Sequence, residues 1–165
     1  MNSWIDRPME VAALLNPAFA GVLLHESVRN FEKVRSSSMP VALLFLAAPI
    51  ALHSPTRRAL PKSTIAKMKP WIDETPEARI GFPERVRALR TFVREGILMA
   101  SNSGLVAVAP DGGLVALRRS SVRLPESWSP GSDSHACWWA SGFIARWFAA
   151  TAGTPTLFAL WGVKP

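Results

Sequence analysis

The side chains able to do chemistry are few and scattered. His25, His53 and His135 lie far apart, with neither the H-x-x-x-H nor the C-x-x-C spacing that gathers metal ligands. Ser132-Asp133-Ser134-His135-Ala136-Cys137 holds every residue type used in nucleophilic catalysis. Residues adjacent in sequence diverge around a helix, however, and cannot align as nucleophile, base and orienting acid. The same stretch suits a helix N-terminus, with Ser132, Asp133 or Ser134 accepting the first amide protons. Asp111-Gly112-Gly113 matches neither G-x-x-x-x-G-K-[ST] nor G-x-G-x-x-G, the loops whose amides cradle phosphate. Asp73, Glu74 and Glu77 fall in a polar connection and read as solvated rather than as a paired acid and base. No catalytic residue, metal or cofactor is assigned, and an enzyme is not expected.

Recognition is what remains. The 165 residues carry a formal charge of +7 and suffice for one domain with a real core. Residues 61–123 hold 11 Lys/Arg against 6 Asp/Glu, a balance of +5, whereas the last 42 residues are neutral. A basic middle section implies an acidic partner, either nucleic acid or the acidic face of another protein, unless it is simply a solvated surface. The single cysteine, Cys137, excludes an internal disulfide and fits a reducing cytoplasm. Asp6 and Glu10 stand where a signal peptide would need its apolar segment. The charge-free run Val41 to Leu52, 12 residues interrupted by Pro49, is too short to span a bilayer. A soluble protein with no membrane contact follows as the expectation.

Proline punctuates the predicted helices. Arg7-Pro8 opens a short one over Met9 to Leu15, and Asn16-Pro17 caps a second from Ala18 to about Val34, with Phe19, Val22, Leu23, Val28 and Phe31 as its apolar stripe. Arg35-Ser36-Ser37-Ser38 is a turn. The run from Pro40 is apolar on every side and belongs in the middle of the fold, with Pro49 kinking or dividing it. Ser54-Pro55 caps a helix over Thr56 to Leu60, and another is predicted from about Thr64 to Ile72.

The most informative stretch runs from Gly81 to Arg119. Pro83 and Gly104 bound one predicted amphipathic helix, in which Val86, Leu89, Val93, Ile97 and Ala100 recur at helical spacing. Arg87, Arg90 and Arg94 fall within an arc of about 60° on another face. Two short apolar runs follow, Leu105 to Ala109 and Leu114 to Leu117, joined by Pro110-Asp111-Gly112-Gly113, a hairpin signal. The fold expected is mainly α with one β-hairpin: a winged-helix-like helical domain over residues 1–119, a loop over 120–134 anchored by Trp128, and a C-terminal apolar helix with a short last helix over 135–165. That C-terminal stretch carries Trp138, Trp139, Phe143, Trp147 and Phe148, and Arg146 is the only strongly charged group of its long helix. The aromatics must be buried in the chain's own core or against a partner subunit.

If the central helix entered a DNA groove, Arg87, Arg90 and Arg94 would contact phosphate or guanine, and Arg118 and Arg119 would reach the backbone from the wing. An autonomous DNA-binding transcription regulator is therefore one reading. Against it, Leu105, Val106, Val108, Leu114, Val115 and Leu117 make the wing apolar on both faces, and Asp111 puts an acid at its tip. Such a wing is better suited to packing against protein.

Four stretches carry a family resemblance: residues 7–24, residues 39–61, residues 79–98 and the ending TPTLFALWGVKP at residues 154–165. Within them, Leu15-Asn16-Pro17-Ala18-Phe19, Pro49-Ile50-Ala51-Leu52-His53 with Thr56-Arg57, Arg94-Glu95, and Gly162-Val163 with Pro165 are the most specific pieces. Together, and in this order, they resemble the middle component of three-component ABC ATPase systems, bacterial conflict systems that overlap Lamassu-type antiphage and antiplasmid defence. Gly96 departs from the alanine expected there. The resemblance implies a non-enzymatic adaptor between an SMC- or Rad50-like ABC ATPase and an effector, often a nuclease, with DNA contact possible within the complex. Arg87, Arg90, Arg94, Arg118 and Arg119 would then dock an acidic subunit or DNA backbone, and Trp138, Trp139, Phe143, Trp147 and Phe148 would meet a partner subunit.

Overall fold

A computed structural model describes residues 16–118 and 121–164. The predicted helix over Met9 to Leu15, together with Arg119 and Pro165, lies outside the described residues. The helices are α1 (Pro17–Arg35), α2 (Val41–Leu52), α3 (Ser54–Ala59), α4 (Met68–Glu74), α5 (Phe82–Ala88), α6 (Arg90–Asn102), α7 (Asp133–Thr151) and α8 (Thr154–Leu160), with one hairpin of β1 (Val106–Val108) and β2 (Leu114–Ala116). A mainly helical fold with a single antiparallel hairpin is what the sequence predicted.

Helix α1 is the hub. The Asn16 side chain accepts the Ala18 N–H at 2.8 Å and caps it, as predicted. From Ala20 to Phe31 only Val22 and Arg29 escape full burial, and α1 packs most extensively on α7 and α6. The apolar stripe read from its sequence thus understates it, because His25, Glu26, Ser27 and Asn30 go inside as well. Helix α2 lies in the core as expected. Pro49 does not divide it: the helix runs on to Leu52, and Arg57 Nη1 donates to the Ala51 carbonyl at 2.8 Å just beyond the proline. Tertiary burial of Ile50 and Ala51 outweighs the proline penalty of about 3 kcal/mol.

Three other boundaries shift. The residue before α3 is His53, whose Nδ1 faces the Thr56 N–H at 3.4 Å and Thr56 Oγ1 at 2.7 Å, so the cap is His53 rather than Ser54. The helix predicted over Thr64 to Ile72 begins at Met68, which leaves Pro70 in the first turn, where an amide proton has no helical acceptor. The single helix predicted from Gly81 is two, bent at Leu89 with φ −91° and ψ 2°. Phe82 and Phe92 both enter the core, and on one straight helix they would diverge by about 80°. The bend accommodates both, with Phe82 4.8 Å from Trp161. Helix α6 ends before Gly104 at φ 67°, the predicted stop.

Gly96 explains itself through packing. A Cβ there would stand 2.6 Å from Ala20 Cβ and 2.8 Å from Leu24 Cδ1, so α6 crosses α1 too closely for alanine. At the other end of α1 the hairpin is bound on. Met39 and Leu114 exchange backbone hydrogen bonds of 2.8 Å each, making Met39 a third, one-residue strand beside β2. The Ala116 N–H donates to Glu32 Oε2 at 2.9 Å. The loop after the hairpin is anchored by Trp128, edge-on to Phe19 at 5.0 Å.

Candidate partner-binding surfaces

The three arginines of the predicted strip fall on both sides of the bend. Arg87 sits before it and Arg90 and Arg94 after it, all three exposed. Arg87 pairs with Glu84 at 3.3 Å; both side chains are about two-thirds exposed, so the pair contributes at most about 1 kcal/mol and leaves Arg87 available. Arg90 and Arg94 pair with no carboxylate among the described residues. Leu98, 58% exposed, falls in line with them one turn beyond Arg94. Sequence reasoning passed over this leucine; its signal was an apolar residue in the arginine register. Arg118 is exposed at the exit of β2, where its carbonyl is 2.8 Å from His25 Nε2.

The hairpin is asymmetric in depth. Val106 and Leu114 are buried on the domain, while Val108 and Leu117 are exposed. The acid at its tip has a local role, since the Asp111 carboxylate accepts from Ser38 Oγ and from the Gly113 N–H. The Ser38 hydroxyl, and then the amide, hold its carboxyl below the usual range.

Helix α7 separates its aromatics. Ser132 Oγ accepts the His135 N–H at 3.2 Å, one of the predicted caps. Phe143, Trp147 and Phe148 lie inside the chain's own core, and Trp147 Nε1 donates to the Ala66 carbonyl at 2.6 Å. Trp138 is half-buried and Trp139 is 45% exposed. Its ring stacks on Phe143 with centroids 5.2 Å apart.

A buried polar seam joins α1 to α7. Arg29 donates to Glu26 from Nε at 3.2 Å and from Nη2 at 2.7 Å. Asn30 Nδ2 donates to Glu26 Oε1 at 2.7 Å, and Asn30 Oδ1 accepts from Arg146 Nη1. Ser121 Oγ donates to Glu26 Oε2 at 3.3 Å. Burial lowers the Arg146 guanidinium, and the Glu26 carboxylate partly restores it. His25 beside this seam is fully buried, and burial pushes its imidazole below the ordinary histidine value despite the Arg118 carbonyl. The seam's carboxylate, amide and guanidinium groups are linked to one another by hydrogen bonds, so it reads as a structural joint. The four-residue step between Glu26 and Asn30 and the lone Arg146 were its traces in the sequence.

Among the described residues no group of three His, Cys, Asp or Glu is placed to hold a metal, and no helix is long and apolar enough to cross a membrane. Burial raises the Cys137 thiol, which disfavours the thiolate. What the surface offers is an arginine strip ending in leucine, two exposed apolar hairpin side chains and an exposed tryptophan. Neither the curated proteins nor the solved structures contain a match. A family model for the ABC-three component (ABC-3C) system Middle Component 3 matches residues 4–165, and the chain belongs to that family.

Proposed function

We propose that this middle component is a non-catalytic adaptor that bridges an SMC- or Rad50-like ABC ATPase and an effector in a Lamassu-type defence complex. The observation that carries the reading is the family match over nearly the whole chain, since a middle component implies an ABC ATPase and a third component as partners. Surface chemistry supports it. Arg87, Arg90, Arg94 and Leu98 offer mixed basic and apolar chemistry suited to an acidic subunit face or to DNA backbone held by the ATPase, with Arg118 as a further exposed cation after β2. Val108 and Leu117 on the hairpin and Trp138 and Trp139 on α7 supply apolar contact for protein partners. The order α1, Met39 strand, helices, then hairpin, with Met39 beside β2, supports a winged-helix reading of the region up to residue 119.

Co-expression with the ATPase and effector encoded beside it, followed by size exclusion, tests the proposal. Co-elution is expected, and a chain that elutes alone as a monomer would sink it. The exposed Arg90 and Arg94 also favour a second reading, an autonomous DNA-binding regulator. That reading requires sequence-selective binding by the isolated chain, each base-contacting arginine contributing about 1–3 kcal/mol. Titration with random and genomic duplexes at two salt concentrations separates the two, because wholly salt-sensitive, sequence-blind affinity rejects the regulator.

A further inference from the structure

A pocket of about 410 Å³ opens between α3 and the start of α7, and Arg57, Arg58, Asp133, His135 and Trp139 all line it. Arg57 is fixed from beneath by the Ala51 carbonyl, and its Nη2 donates to Asp133 Oδ1 at 3.0 Å. The two partners differ sharply, for the Arg57 side chain is 7% exposed and that of Asp133 is 87% exposed. A buried guanidinium thus reaches the pocket while its counter-ion stands in water. Arg58 is exposed beside it and pairs with no carboxylate among the described residues. Two arginines against one aspartate leave the pocket at +1. Trp139 is held flat by its stack on Phe143.

Any partner that covers Trp139 also takes water from Arg58 and from the Arg57–Asp133 pair, because one pocket holds them all. Desolvating a cation without a counter-charge is unfavourable, so a purely apolar surface does not fit. A carboxylate beside an apolar side chain does. We infer that this pocket receives an acidic peptide segment of a partner protein, a carboxylate meeting Arg58 and Arg57 while a neighbouring apolar side chain lies on Trp139. A phosphodiester strand fits less well, since its repeating charges would face the exposed Asp133 carboxylate. The inference rests on the adaptor reading in taking Trp139 as a partner contact, and it adds the chemistry of that partner.

The test titrates the full chain with the capped peptide Glu-Leu-Glu-Leu while following the Trp139 indole N–H and Arg57 Nε–H resonances. Both signals should move. Arg58→Glu and Trp139→Ala should each weaken binding by about tenfold or more, a change of about 1.4 kcal/mol. Arg58→Lys should keep most of the affinity, and Lys33→Glu, an exposed cation on α1 outside the pocket lining, should leave it unchanged. Resonances that stay still, an Arg58→Glu chain that binds like the parent, or a thymidine oligonucleotide that shifts the same signals more strongly would each overturn the inference. Peptide binding that persists without a complex in size exclusion would count against the adaptor reading alone.

Discussion

Helix α1 is held along two seams of opposite character. Against α6 its backbone comes so near that Gly96 leaves no space for a methyl group. Against α7 the same helix presents its own cluster of Glu26, Arg29 and Asn30, from which Asn30 accepts from Arg146 across the seam, with Gly142 making room for Asn30 and Glu26. The first seam gains from dispersion and apolar burial, which accept small slides of one helix on the other. The second is satisfied in one register only, because a shift strands buried charges. The contrast suggests that α6 supplies stability and α7 supplies alignment.

The polar seam should break most severely. Glu26→Ala removes the acceptor of Arg29, Asn30 and Ser121, and should cost about 3–5 kcal/mol in chemical denaturation; a loss under about 1 kcal/mol would mean that water already enters the seam. The dry seam should fail more gently. Gly96→Ala gains about 1 kcal/mol of helix propensity but forces α1 and α6 apart, for a net destabilisation of about 1–3 kcal/mol. A Gly96→Ala chain as stable as the parent would show that the crossing relaxes freely.

The edge of the polar seam should respond to acid. Burial leaves the folded His25 pKa below its unfolded value, so the unfolded chain takes up the proton first and stability falls as pH drops below about 6.5. His25→Gln should remove that part of the slope between about pH 7 and pH 5 in urea midpoints. Outside both seams, Arg90→Glu with Arg94→Glu should alter stability by less than about 0.5 kcal/mol yet weaken partner binding, most visibly at low salt. An unchanged complex in size exclusion would take the arginine strip out of the interface.

The sequence made the hairpin, the Asn16 and Ser132 caps and the buried α2 legible, because each depends on residues close together in the chain. The bend at Leu89 was not, since it answers to where Phe82 and Phe92 must both go. The hub role of α1 was hidden for the same reason: His25, Glu26 and Asn30 look like a solvated face until Arg146, 116 residues beyond Asn30, is brought against them. Among the candidate contacts, Trp139 and Phe143 are alike by composition, and only packing tells the exposed ring from the buried one.

The hairpin's attachments have a mechanical side. Met39, Glu32 and Ser38 hold it near the C-terminal end of α1, while His25 and Glu26 hold the segment that leaves it at the helix's middle. A tug on the hairpin is therefore spread over several bonds loaded together, along the length of one helix, instead of being unzipped a bond at a time. Such a mounting makes the hairpin a handle, so that force applied there is passed to the whole of α1.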